Sequence, residues 1–161
     1  MKKNINAALN EQIHAELNAS YLYLSMTAFC ESRDLPGFSH WMRRQSQEEH
    51  SHAMRLFDHV HARGGAVKLQ AIHQPEHDFK SPAGLVRSAL DHEKAMTKSI
   101  HKLYELASKE SDYATQIELQ WFITEQVEEE KSAQEILTRL EMIGDGPVAL
   151  LLMDRQLAQR E

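Results

Sequence analysis

The sequence predicts an all-α fold: a four-helix bundle with one long crossover and a short fifth helix near the C-terminal end. Three observations predict it. Gly and Pro number only 6 and 4 and fall in clusters, which leaves long uninterrupted stretches free to be helical. Within those stretches apolar residues recur at spacings of three and four. Aromatics make up 7% against 42% hydrophobic in all, a balance that suits helices packed through Leu, Ile, Met and Ala better than a sheet sandwich. The 161 residues are read as one domain, 1–161, long enough to bury a core.

The elements follow in order. The first helix is expected from about Asn4 to Ser32, with Asn4 as its N-cap. Leu35-Pro36-Gly37 announces the second, which runs to about Arg63 and ends at Gly64-Gly65; Pro inside the start and Gly past the end is the usual asymmetry. Ser81-Pro82 opens the third, which continues to about Lys109, and the fourth spans about Asp112 to Gly144. After Asp145-Gly146-Pro147 comes a short amphipathic segment, Val148–Ala158. The first and second helices are joined by a few residues, as are the third and fourth, so each pair should form an antiparallel hairpin. Between the pairs lies Gly65–Lys80, with Pro75 and no helical period. At roughly 3.3 Å per extended residue it can run the length of a bundle. Loops that long are uncommon in compact domains.

Each long helix carries a carboxylate within its inward stripe. The stripes are Leu9, Ile13, Glu16, Ser20, Tyr23, Thr27; then Phe38, Met42, Gln45, Glu49, His52, Leu56; then Val86, Ala89, Glu93, Met96, Ile100, Leu103; then Leu119, Phe122, Gln126, Glu129, Ala133, Ile136, Leu140. A buried ionised carboxylate costs several kcal/mol, and no inward Lys or Arg stands beside any of the four. Two divalent cations would neutralise Glu16, Glu49, Glu93 and Glu129. Glu49-His50-Ser51-His52 places its first and last residues one turn apart on the same face. Oxygen ligands with a single imidazole suit Fe(II) or Mn(II), and the lack of a thiolate set disfavours copper or structural zinc. The spacing therefore predicts a dinuclear carboxylate site.

Other classes are excluded or disfavoured. With 24 acidic against 18 basic residues and a net charge of −6, no nucleic-acid partner is expected. Cys30 is the single cysteine, so no internal disulfide or thiolate cluster can form. The apolar run Val148–Met153 is too short to span a bilayer. Polar residues from Asn6 to His14 interrupt any leader-like stretch, so no membrane association is expected and a cytoplasmic protein is.

Asn10-Glu11-Gln12, Glu16, Tyr23, Gln47 through His52, Glu93 and Trp121 through Lys131 resemble the non-haem bacterial ferritins. The resemblance covers essentially the whole chain, the crossover and fifth helix included, and identifies the bundle as ferritin-like. It implies a first iron site of Glu16, Glu49 and His52 and a second of Glu49, Glu93 and Glu129, with Glu49 bridging and Gln126 beside them. A third iron position would use Glu48, Glu125 and Glu128, assisted by Glu129. Tyr23 would orient a glutamate and donate an electron. The resemblance further implies ferroxidase activity with O2 or H2O2 as oxidant, and a hollow homo-oligomeric shell of twenty-four subunits storing a ferric mineral. Bacterioferritin differs in two respects: a second Glu-x-x-His on the fourth helix, where this chain has Gln126 and Glu129, and a haem-binding methionine after the bridging glutamate, where it has His50. No haem is expected.

Bland readings stand beside these. Glutamates such as Glu48, Glu125 and Glu128 are most often solvated on a helix face. Tyr23 is equally a core tyrosine with a satisfied hydroxyl. Trp121 reads as packing, His50 as a surface histidine, His73 and His77 as exposed loop residues, and Cys30 as a small buried hydrophobe. Val148–Met153 is expected to be buried against the bundle or neighbouring subunits. Two other functions compete: an iron-buffering shell with little ferroxidase turnover, which the retained ligands oppose, and a di-iron peroxidase or oxygenase, which the missing second histidine opposes.

Overall fold

The computed structural model describes residues 1–144 and 146–160. Its helices are α1 (Lys3–Glu31), α2 (Pro36–Ala62), α3 (Pro82–Lys109), α4 (Tyr113–Ile143) and α5 (Pro147–Leu157), with no strand among the described residues. α1 packs along α2 and α3 along α4, α1 also lies against α3, and α5 folds back onto α2 and α4. α2 meets α4 through side chains: Arg63 Nη1 donates to Asp112 Oδ1 at 2.8 Å, and Arg55 pairs with Glu118. Among the described residues no helix is long and apolar enough to cross a membrane.

Two helix starts are capped by side chains, that of α3 where Ser81-Pro82 predicts it. Ser81 Oγ accepts from Gly84 N–H at 3.0 Å, and Asp112 Oδ1 accepts from Thr115 N–H at 3.2 Å, satisfying donors that a helix start leaves free. The expectation for Asn4 is corrected. α1 begins at Lys3, and its N-cap Lys2 makes no side-chain cap bond. Asn4 lies inside the helix and its amide donates to Glu110 Oε1 at 2.7 Å, beside a Lys2–Glu110 ion pair. Polar groups at the start of α1 are thus committed to the end of α3.

The start of α2 is capped from a distance. Asp154 Oδ1, on α5, accepts from Gly37 N–H at 2.8 Å and Phe38 N–H at 2.9 Å, placing an anion at the positive end of the helix. Only glycine fits at position 37, because a Cβ there would lie 1.7 Å from the Asp154 carbonyl oxygen. This docking turns Met153, Asp154 and Leu157 inward. Val148, Leu151 and Leu152 stay exposed, so the bundle covers only part of the apolar run expected to be buried.

The crossover Gly65–Lys80 lies along α1. Asn6 Oδ1 accepts from Ala66 N–H at 3.0 Å, Asn10 Oδ1 from Lys68 N–H at 2.7 Å, and Ser25 Oγ donates to the Glu76 carbonyl at 2.7 Å. Phe79 closes it edge-on to Phe29, centroids 5.5 Å apart. Backbone groups that no helix or sheet serves find α1 side chains instead.

The interior holds two apolar clusters. One gathers Ile5, Leu9, Ile13, Leu56, Val60, Ile100, Leu103 and Leu119 with Phe122. The other gathers Met26, Phe38, Met42, Val86, Ile136 and Leu140 with the inner edge of α5. Cys30 is buried in the second cluster, where burial pushes its thiol up to about 12. A layer of polar side chains separates the two clusters.

Candidate metal centre

That layer is where the four inward stripes cross. Every stripe position named from the sequence is buried except Ser20, which is half-buried. Helix periodicity forces this result: a residue three or four positions from a core leucine shares its face, so Glu16, Glu49, Glu93 and Glu129 are carried inside whether or not their charge is welcome. All four are buried.

Glu16, Glu49 and His52 converge, each offering a ligand atom within 4.8 Å of the others. His52 Nδ1 lies 3.6 Å from Glu49 Oε2. The imidazole stands edge-on to Trp121 at 5.3 Å and Phe122 at 5.8 Å, and the Arg55 guanidinium covers Trp121 at 4.1 Å. Trp121 is therefore a wall that fixes the His52 ring. Glu49 Oε1 is buried with no hydrogen-bond partner. An orphaned carboxylate oxygen among acidic neighbours is an acceptor set for a cation.

Neutral donors hold the other three carboxylates. Gln12 Nε2 donates to Glu16 Oε1 at 2.8 Å, and Gln45 Nε2 to Glu129 Oε2 at 2.7 Å. Glu93 accepts from the Tyr23 hydroxyl and from Gln126 Nε2 at 3.1 Å. The Tyr23 hydroxyl thus has a glutamate as its partner. Among the described residues no Lys or Arg pairs with any of the four.

The electrostatics follow from burial and crowding. Burial raises Glu16 well above the usual carboxylate range, and the charge of Glu49 adds to it. Glu49 is raised likewise, by burial first and then by Glu93. Burial, with Glu93 beside it, lifts Glu129 from 4.5 to about 7. Tyr23 is raised by burial and by Glu93. Raised in this way, Glu16, Glu49 and Glu129 hold protons more readily than free carboxyls do, and a divalent cation would displace those protons.

Glu93 and Glu129 do not join the Glu16–Glu49–His52 cluster; each is turned to its own donors. Nor are Glu48, Glu125 and Glu128 gathered. Glu48 and Glu125 are half-buried and Glu128 is exposed. Glu48 Oε2 accepts from Arg160 Nη2 at 2.5 Å, and the guanidinium packs over Trp41 at 4.8 Å. His50, His73 and His77 are exposed, as the sequence suggests. Sequence reasoning gave no role to Gln12, Gln45 or Arg160. For the two glutamines the signal was available, since each stands one turn before a buried glutamate and a buried amide needs partners. Nothing local announces Arg160, whose partner Glu48 is remote in the chain.

The family model for the ferritin-like domain matches residues 6–143. A bacterial non-heme ferritin of Bacteroides fragilis (strain 638R) is 38% identical over 160 residues, covering 99% of each chain. One from Staphylococcus aureus (strain USA300) is 33% identical, covering 99% of this chain and 96% of its own. Among solved structures, an open pore ferritin from Archaeoglobus fulgidus is 46% identical over 100% of this chain and 99% of its own, with a TM-score of 0.99.

Proposed function

Because the chain belongs to the ferritin family, we propose that it is an iron-storage protein that oxidises Fe(II) at the carboxylate layer and keeps the ferric product inside a shell of its own copies. Iron is the substrate and cargo. One Fe(II) takes Glu16, Glu49 and His52; a second takes Glu49, Glu93 and Glu129, with Glu49 shared and Gln126 alongside. The single observation that carries this reading is the buried, unpartnered Glu49 Oε1 next to Glu16 and His52.

Two Fe(II) ions give up one electron each, reducing O2 with two protons to H2O2, or H2O2 with two protons to water. Hydrolysis of the Fe(III) releases protons, and the carboxylates move them. Tyr23 keeps Glu93 oriented, while Trp121 and Phe122 hold His52. Ferric iron then passes Glu48, Glu125 and Glu128 towards the store. The working unit is one domain, 1–161, assembled as a twenty-four-subunit shell in the cytoplasm. No haem takes part.

Stopped-flow absorbance tests the reading, with anaerobic Fe(II)-loaded protein mixed with oxygen beside a Glu49→Ala variant. A fast transient at about two irons per chain, absent from the variant, supports it. Oxidation no faster than that of free iron, or an identical variant, defeats it.

A further inference from the structure

We propose that Gln12 and Gln45 are positioning residues, one for each metal position: Gln12 sets Glu16 for the first and Gln45 sets Glu129 for the second. The proposal rests on the two-metal reading above and assigns work to side chains that reading leaves unused.

The two amides are arranged alike on different helices. Gln12, on α1, stands one turn before Glu16 and donates to its Oε1 at 2.8 Å. Gln45, on α2, stands one turn before Glu49 yet reaches across to Glu129 Oε2 on α4 at 2.7 Å. Each engages one oxygen of its carboxylate. Both glutamines are buried, Gln45 completely.

Packing alone does not account for Gln45. Its Oε1 is buried and unpartnered, which is unfavourable. An apolar side chain of similar shape would fill the space without that cost. The compensating gain is the hydrogen bond to Glu129, and its chemistry is specific. A Lys or Arg donor would cancel the carboxylate charge. An amide fixes the carboxylate's orientation and leaves its charge for a cation, which is how groups around metal ligands tune affinity.

The two clamps differ in stiffness. Ser99 Oγ, on α3, donates to Gln12 Oε1 at 2.6 Å. That bond engages the other end of the Gln12 amide, so α1 and α3 together fix this contact. For Gln45 only Glu129 itself sets the amide. The first position is therefore locked from outside, and the second is held by a single bond.

Anaerobic stepwise titration of the assembled protein with Co(II), followed by visible absorbance, reads the two positions separately. A His52→Ala variant marks which step belongs to the first. Gln12→Leu should weaken the first step by roughly ten- to a hundred-fold and spare the second, and Gln45→Leu the reverse. Ser99→Ala should weaken only the first step, by less than Gln12→Leu. Denaturant unfolding of the metal-free variants should stay near wild type. If both steps are unchanged in both glutamine variants, or both fall together in each, the assignment is overturned. A wild type without two steps overturns the two-metal reading, and this proposal with it.

Discussion

The apolar clusters and the carboxylate layer between them lie on the same helices but answer to opposite physics. In the clusters, Leu9, Leu56, Ile100 and Leu119 are sealed from water, and each such side chain contributes on the order of 2 kcal/mol by burial. In the layer, four carboxylates and an imidazole are equally sealed and each charge is unfavourable there. The clusters stabilise the bundle; the layer is held in place by it. Stabilising and destabilising burial are thus separated along the helix axis.

The largest expected effect breaks the stabilising side of this comparison. Leu9→Ala should cost about 2–5 kcal/mol in denaturant unfolding of the metal-free protein. The fraction that remains folded should keep its Fe(II) oxidation rate, because Leu9 belongs to the apolar cluster and offers no ligand atom. A rate that collapses with stability would show the two regions to be coupled.

The next prediction has the opposite sign. Glu129 is raised from 4.5 to about 7 in the folded chain. Over that window the folded state holds a proton that the unfolded state has released, so metal-free stability falls as pH rises through it. Glu129→Gln removes the charge and should stabilise the metal-free protein by about 3 kcal/mol at pH 8, the gain vanishing below pH ~4.5. Unfolding of both proteins across pH checks it, and a pH-independent difference would sink the explanation. The same variant should lose the second metal step.

The smallest effect sharpens the comparison from outside both regions. Ser81→Ala removes the cap bond to Gly84 and should cost about 1 kcal/mol with Co(II) uptake unchanged.

The sequence showed much of this, unevenly. The bounds of α3 follow from the short-range chemistry of Ser81-Pro82 and lie where expected, and α4 starts beside Asp112 as expected. Asn4 misled because its amide has a partner, Glu110, more than a hundred residues away. The inward stripes were legible residue by residue, as was the Glu49–His52 pair. The apolar run of α5 was legible as amphipathic, but its covered edge was not, since that depends on Asp154 reaching Gly37 and Phe38.

By itself, the sequence determined which side chains face inward, where the helices begin and end to within a turn, and that the buried chemistry is carboxylate and imidazole. These properties depend on the spacing of residues within one helix. Only the tertiary structure decided that Gln45 serves Glu129, that Tyr23 serves Glu93, that Arg160 takes Glu48, and that the crossover is tied to α1. Such pairings depend on the rotation and axial offset of one helix against another. The packing of all the side chains together sets these, and no local pattern encodes them.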